Sequence, residues 1–87
     1  MISTAVTVGT TRVKLLDASN SWRTVYIHVT GNEPVYVGGS NVTTANGLQT
    51  EKHTSPVEFY IPAEEELWAV SGSSVEIRFM KPLLYAD

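Results

Sequence analysis

The sequence predicts an all-β domain, either a small antiparallel β-sandwich or a jelly-roll-like barrel of about seven strands. Three observations lead to this fold class. Apolar and polar residues alternate with a period of two in several short segments, which is typical of strands with one buried face. Turn residues separate these segments at spacings of about ten residues, and no segment has a helical period. No linker or internal repeat divides residues 1–87, which are therefore expected to form one domain.

The first two predicted strands are residues 5–8 and residues 11–17. In the second of these, strict alternation places Val13 and Leu15 on one face. The same alternation places Leu16 on the opposite face, together with the basic side chains of this strand.

Residues 22–30 are predicted to form the longest strand. Val25, Ile27 and Val29 alternate there with more polar residues, which indicates one buried face. The connection that follows, residues 31–34, is short. This strand and the next are therefore expected to form an antiparallel hairpin.

Residues 34–38 are predicted to form a strand that Gly38 and Gly39 end, because glycine reaches backbone angles closed to other residues. The polar run after it is too rich in Asn, Thr and Ser to be core. Asn46 and Gly47 predict a tight turn, because both residues tolerate positive φ. We expect a structured polar loop that turns the chain back.

The second half of the chain contributes three predicted strands, residues 56–62, 67–71 and 74–81. Prolines bracket the first, which suits strand ends because proline donates no ladder hydrogen bond. The last two flank Gly72 and Ser73 and are expected to pair across them. The residues expected to face inward are Val57, Phe59, Ile61, Val75, Ile77 and Phe79.

Composition and charge narrow the range of partners. The net charge is −3 and the six basic residues are scattered, so we expect no nucleic-acid partner. No apolar run approaches the roughly 20 residues that span a bilayer, and the N-terminus has no signal-peptide pattern. We therefore expect no membrane partner, and synthesis in a cytoplasm.

The small size of the domain favours self-association. A chain of this length buries only roughly 60–65% of its unfolded surface, which leaves a small stability margin. There are no cysteines, so no disulfide adds to it. A partner subunit would add stability, and we expect a homo-oligomer.

Catalytic chemistry has little support in the sequence. Only two histidines, His28 within a strand and His53 in a loop, could activate a nucleophile, and neither accompanies a Gly-x-Ser-x-Gly elbow. Two histidines do not make a zinc site, and the acidic run of residues 64–66 is predicted to be a solvated turn. We expect a non-enzymatic protein with no catalytic residue, metal site or cofactor.

One run resembles a known family. Residues 35–43, Val-Tyr-Val-Gly-Gly-Ser-Asn-Val-Thr, precede an Asn-Gly pair. This pattern resembles one in small all-β proteins of tailed bacteriophages that are described as head decoration or minor capsid proteins. The resemblance spans residues 11–80, although residues 49–55 are longer and more polar than the turn usual in that family. It implies a virion protein on the capsid surface that binds the major capsid protein as a cement.

The central loop and the two ends of the chain are the expected contact regions. We expect residues 1–5 and 82–87 to act as interaction arms. The apolar tail either covers one end of the sandwich or docks on a neighbouring subunit, where each buried side chain would contribute roughly 1.5–3 kcal/mol. The candidate partner-binding residues are Gly38, Gly39, Ser40, Asn41, Thr43, Thr44, Asn46, Leu83, Leu84 and Tyr85.

Two alternative functions remain open at this point. Tyr26, Tyr36 and Tyr60 are predicted to lie opposite the apolar faces, where tyrosines can bind host glycans. This favours a carbohydrate- or receptor-binding module of a phage fibre. The other alternative is a ring-forming head-completion or tail component.

Trp22 and Trp68 are large enough to be expected in the core.

Overall fold

The fold is known from a computed structural model that describes residues 2–52 and 56–82. Its strands are β1 (Ile2–Val8), β2 (Val13–Leu16), β3 (Arg23–Val29), β4 (Val35–Gly38), β5 (Leu48–Thr50), β6 (Val57–Ile61), β7 (Leu67–Ser71) and β8 (Val75–Lys81). No helix of the described residues is long and apolar enough to cross a membrane.

The strands form two antiparallel sheets of four, in the orders β1-β8-β3-β6 and β2-β7-β4-β5. Strands equally far from the two ends of the series pair with each other: β1 with β8, β2 with β7, β3 with β6, and β4 with β5. This is the strand order of a jelly roll. The predicted fold class is confirmed, with eight described strands rather than about seven. The additional strand is β5, whose three residues are too short to show a pattern.

Two predicted hairpins are wrong. β3 and β4 lie in different sheets, and so do β7 and β8. Their short connections cross from one sheet to the other instead of turning back within one sheet. Each of these strands pairs with a partner distant in sequence, because a jelly roll wraps a long antiparallel ribbon around the core. β4 and β5 do form a hairpin, so the chain turns back after the polar loop as expected.

The predicted two-residue period is confirmed in the two longest inner strands. In β3, Val25 and Ile27 have no exposed surface, and the residues between them are only partly buried. In β8, Ile77 is fully buried between two exposed charged residues. Side chains on the two inner faces meet to form the core. The core cluster consists of Val8, Leu15, Leu16, Val25, Ile27, Val29, Val35, Val37, Ile61, Leu67, Ala69, Val75, Ile77 and Phe79.

The predicted alternation fails in β2. Leu15 and Leu16 are consecutive, yet both are buried. The register against β7 shifts between Lys14 and Leu16, which is the mark of a bulge. An extra residue at a bulge changes the direction of the side chains that follow it, so both leucines reach apolar surroundings.

Arg23 is buried, whereas the adjacent Trp22, which was expected in the core, is exposed. The side chain of Arg23 is only 2% exposed, whereas that of Trp22 is 57% exposed. The guanidinium donates hydrogen bonds to the backbone carbonyls of Asp17, Pro62 (3.2 Å) and Glu65 (2.8 Å). A buried cation needs such acceptors to offset its lost hydration. Arg23 therefore joins the segment before β3 to the turn after β6.

The acidic turn of residues 64–66 packs against the same segment. Glu64 has a φ of 72°, the one positive φ among the described non-glycine residues. Its amide donates a hydrogen bond of 2.6 Å to the carbonyl of Ser19. This turn is therefore held to the segment before β3 at the backbone level, and the bond supports the contacts of Arg23.

The two expected arms differ in what the structure describes. Residues 2–5 are the first half of β1, and they pair with β8 from Ile2 onward. Any contact they make is thus made by an edge strand of a sheet. Of the other expected arm only Pro82 is described, so residues 83–87 lie outside the described part of the chain.

Candidate partner-binding surfaces

The loop between β4 and β5, residues 39–47, is held in shape by its own hydrogen bonds. Asn46 Oδ1 accepts a hydrogen bond of 2.7 Å from the amide of Thr43, and its Nδ2 donates one of 3.2 Å to the carbonyl of Asn41. Thr43 Oγ1 accepts bonds from the amides of Ala45 and Asn46. Short polar side chains that bond to nearby backbone favour ordered turns over strand or helix. The Asn- and Thr-rich composition therefore produces a structured loop.

The predicted turn at Asn46 and Gly47 is present, but it forms without a positive φ at either residue. The amide of Gly47 instead donates a 2.9 Å bond to the carbonyl of Thr43, four residues earlier. Glycine is needed here for close approach. A Cβ on Gly47 would lie 2.7 Å from Tyr36 Cβ and 2.8 Å from Val42 Cγ2. The loop thus packs directly on β4.

Val42 anchors the loop to the sheet. It is 2% exposed, although its neighbours in the loop are exposed. Its Cγ2 would lie 3.1 Å from a Cβ on Gly38, so it occupies the space above that glycine. A second tie comes from Arg12, whose Nη1 donates a 2.7 Å bond to the carbonyl of Ser40. The loop is fixed at one side by an apolar contact and at the other by a hydrogen bond.

The structure brings most of the expected binding residues together on this loop. Gly38 is the last residue of β4 and is half-buried. The other expected members in this part of the chain are exposed on the loop: Gly39, Ser40, Asn41, Thr43, Thr44 and Asn46. The remaining expected residues, Leu83, Leu84 and Tyr85, lie outside the described residues.

Val42 and Arg12 support the loop structurally, and neither is among the binding residues expected from the sequence. Val42 is a large apolar residue within a polar run, and such a residue is a signal for an anchor. Nothing in the sequence points to the contact of Arg12, because it joins residues 28 positions apart.

A second exposed surface is an aromatic pair at the end of the β1-β8-β3-β6 sheet. The rings of Trp22 and Tyr60 stack with centroids 4.8 Å apart and an interplanar angle of 18°. Both side chains are more than half exposed. The buried Arg23 sets this geometry, because the residue before an inward-facing one points outward. Tyr60 points outward as expected, whereas the prediction that Trp22 is core is wrong.

The other predicted aromatics are only half-buried. Trp68 is half-buried and not in the core, and its Nε1 donates a 3.0 Å bond to Glu66 Oε1. Tyr26 is half-buried, and its hydroxyl donates a 3.0 Å bond to Glu58 Oε2. This bond favours the neutral phenol and raises the pKa of Tyr26. Tyr36 is half-buried beneath the loop.

An ion pair lies beside Trp68. Lys14 Nζ is 2.9 Å from Asp17 Oδ1 and 3.7 Å from Glu66 Oε2. The hydrogen bond with Asp17 raises the pKa of Lys14, and the same bond lowers the pKa of Asp17. These groups are solvent-exposed, so the pair has a small effect on stability.

The histidines and acidic residues do not gather at one place in the described chain. His28 lies on the outer face of β3 opposite Arg78, and His53 lies outside the described residues. In residues 2–52 and 56–82, no group of three or more His, Cys, Asp or Glu is placed to hold a metal ion.

Comparison with known proteins found no match. No protein family, no curated protein and no solved structure matches this chain.

Proposed function

We propose that this chain is a non-enzymatic structural protein of a phage virion that decorates the capsid by bridging capsid subunits. The proposed partner is the major capsid protein. The resemblance of residues 35–47 to phage head decoration proteins supports this assignment. A jelly roll by itself does not, because one fold serves many functions.

The observation that carries the proposal is the ordered, exposed loop of residues 39–47. Its polar side chains face solvent, whereas Val42 and Arg12 hold its backbone in place. A loop fixed before binding loses little conformational entropy when it docks. Such a loop is suited to adhesion on a regular protein surface.

Attachment to a capsid is multivalent. A bridging protein contacts more than one subunit, so the second contact forms at a high effective concentration. The overall hold can therefore be tight even where each contact is weak. The exposed loop residues Ser40, Asn41 and Thr44 are the proposed contacts, because no hydrogen bond of their side chains builds the loop itself.

Reconstitution on capsids tests this proposal. Purified heads of the phage that encodes the chain, stripped of surface proteins, are mixed with the wild-type protein and sedimented. The wild-type protein is expected to co-sediment at a fixed ratio to the major capsid protein. Asn41→Arg is expected to abolish this binding, because it places a long charged side chain on the contact surface.

Asn32→Arg is the matched control. Asn32 is also an exposed asparagine, but it lies in the connection between β3 and β4. The same charge change there should leave co-sedimentation unchanged. Absence of wild-type protein from sedimented heads would contradict the proposal, and so would equal loss in both variants. A major capsid gene beside the coding gene would add support.

A second candidate function is glycan or receptor binding, and the Trp22–Tyr60 pair favours it. Exposed aromatic rings provide apolar faces on which sugars stack. A glycan array with the wild-type protein, Tyr60→Ala and Tyr36→Ala tests this candidate. Binding that Tyr60→Ala removes and Tyr36→Ala retains would support it, since Tyr36 lies half-buried in the other sheet. Absence of wild-type binding to the glycans would remove it.

A further inference from the structure

The edges of the two sheets differ in how they are protected. An open edge presents unpaired backbone groups, and proteins usually block such edges with charges, prolines, bulges or short strands. β2 carries the bulge and Lys14, and β5 has only three residues. β6 lies between Pro56 and Pro62. Three of the four edges in the described sheets thus carry a known protective feature.

β1 is the edge without such protection. It has seven residues, Ile2–Val8, and pairs with β8 along its whole length without a register shift. Residues 2–11 contain no charged side chain and no proline. No described strand pairs with its other side. This edge is regular, uncharged and long enough to bind another strand.

The free backbone groups of β1 can be identified from the hydrogen-bond pattern. The amide of Thr30 donates to the carbonyl of Glu76, which continues the register of β3 with β8. Alternate residues of β8 starting at Glu76 therefore bond to β3, and the residues between them bond to β1. The register of β1 with β8 then leaves Ser3, Ala5 and Thr7 with their N–H and C=O groups toward the free edge.

We propose that β1 pairs antiparallel with β1 of a second copy of this chain, with the two-fold axis at Ala5. In this register, Ala5 faces Ala5 of the second copy, and Ser3 faces its Thr7. All the free N–H and C=O groups of the three residues are then bonded. The two four-stranded sheets join into one continuous sheet of eight strands, a size that open sheets commonly reach.

The side chains of β1 fit the same arrangement. Ile2 is 37% exposed and Val6 is half-buried, although both belong to the inward-facing set of β1. Pairing of the two edges would cover them with Val8 and Thr4 of the second copy. The outer face would bring together only small side chains, those of Ser3, Ala5 and Thr7. The pairing therefore hides apolar surface on the inner face and brings only small side chains together on the outer face.

Self-complementarity favours a second copy over a strand of another protein. A two-fold interface requires a surface that is complementary to itself. β1 meets this requirement, because an antiparallel pair with its two-fold axis at Ala5 brings the same strand of each copy together. Without charges, the two strands bring no like charges face to face. One strand pair makes a small interface, below the roughly 1,000 Å² of a stable complex, so the dimer should form at high protein concentration. This inference is independent of capsid binding.

Single cysteines test the register, because the chain has no cysteine of its own. Hydrogen-bonded antiparallel pairs have Cα atoms about 5.5 Å apart, a distance that a disulfide spans. Ala5→Cys is therefore expected to form a covalent dimer under mild oxidation. Ser3→Cys is the matched control, since its symmetry mate would lie roughly 13 Å away at 3.3 Å per residue. A mixture of Ser3→Cys and Thr7→Cys should form the mixed dimer.

A charge at Ala5 tests the same pairing without a covalent bond. Sedimentation equilibrium of the wild-type protein should show the dimer, and Ala5→Lys should be monomeric, because two lysines would face each other. Mixing Ala5→Lys with Ala5→Glu should restore dimers, and Thr44→Lys, on the loop, should dimerise like the wild type. A monomeric wild-type protein, or Ser3→Cys dimers as abundant as those of Ala5→Cys, would overturn the proposal. Monomeric wild type that instead takes up a foreign strand would overturn it too.

Discussion

The guanidinium of Arg23 donates a hydrogen bond of 2.8 Å to the carbonyl of Glu65, 42 positions later in the chain. Together with the bonds to Asp17 and Pro62, it closes one end of the sandwich. Arg23→Ala removes all three hydrogen bonds of this buried guanidinium, and at about 1 kcal/mol for each bond we expect it to lower the free energy of unfolding by about 3 kcal/mol. Urea denaturation measures this change.

Arg12→Ala is the control for that experiment. Arg12 is exposed and donates one hydrogen bond to the loop, so its removal should cost less than about 1 kcal/mol. Equal losses for the two variants would show that Arg23 does not support the fold in the way its contacts indicate. Arg23→Lys should recover only part of the loss, because an ammonium cannot reproduce the planar fork of donors.

Replacement of Gly47 tests the close packing of the loop on β4. Gly47→Ala places a Cβ within 2.8 Å of Tyr36 and Val42, so the loop backbone has to move. We expect a loss of about 1–3 kcal/mol in the free energy of unfolding, as for other overpacked sites.

Gly72→Ala provides the matched comparison, because a Cβ there meets nothing within 4 Å and its φ is not positive. Its effect should be neutral or slightly stabilising, by up to about 1 kcal/mol, since alanine restricts the unfolded chain. Thermal unfolding of both variants separates the two effects. A Gly47→Ala protein as stable as the wild type would argue against the tight contact.

Removal of the Val42 anchor should release the loop more than it affects the core. Val42→Ala deletes two buried methyl groups, and we expect a global loss of about 1–3 kcal/mol. Hydrogen exchange at the amides of Asn46 and Gly47 should accelerate by more than this global loss explains. Val37→Ala is the control, because Val37 is equally buried but belongs to the main core. If both variants gave the same loop exchange, Val42 would not be the anchor.

The hydrogen bond between Tyr26 and Glu58 makes the stability of the fold decrease at alkaline pH. The folded-state pKa of Tyr26 is raised, so the bond's stabilisation is fully present below the ordinary tyrosine pKa near 10. It is lost as the pH rises through the folded-state value. Absorbance titration of the phenols measures this pKa, and the difference from Tyr26→Phe assigns it.

Glu58→Gln should bring the pKa of Tyr26 back toward its ordinary value, because the charged acceptor is removed. Glu76→Gln serves as the control, since Glu76 pairs with Arg78 on the same face of the sheet. A titration of Tyr26 that Glu58→Gln leaves unchanged would contradict the assigned cause.

Local pattern predicts this fold where each strand has one buried face. The alternation in β3 and β8 correctly identified every second residue as core, among them Val25 and Ile77. It could do so because side-chain direction follows from strand geometry alone. Strand pairing was not predictable in the same way. Short connections suggested hairpins, but jelly-roll pairing depends on contacts between remote segments.

The candidate surfaces were predictable in part for the same reason. The composition of residues 39–47 predicts an exposed polar loop, and the structure agrees except at Val42, which is buried. The aromatic pair was missed, because Arg23 looks like a surface residue until its three carbonyl acceptors are known. Asp17 is only six positions from Arg23, but Pro62 and Glu65 are 39 and 42 positions away, and no local pattern reveals contacts at that distance.

The pairing of β1 with β8 also has a kinetic consequence. Among the described strands, β1 is synthesised first and β8 last, so β1 has to wait for its neighbour in the sheet. Folds dominated by such distant pairings form slowly, because the intervening loop must be closed first. Until β8 is available, β1 lacks its native neighbour in the sheet, and such an unpaired, uncharged strand is prone to aggregation.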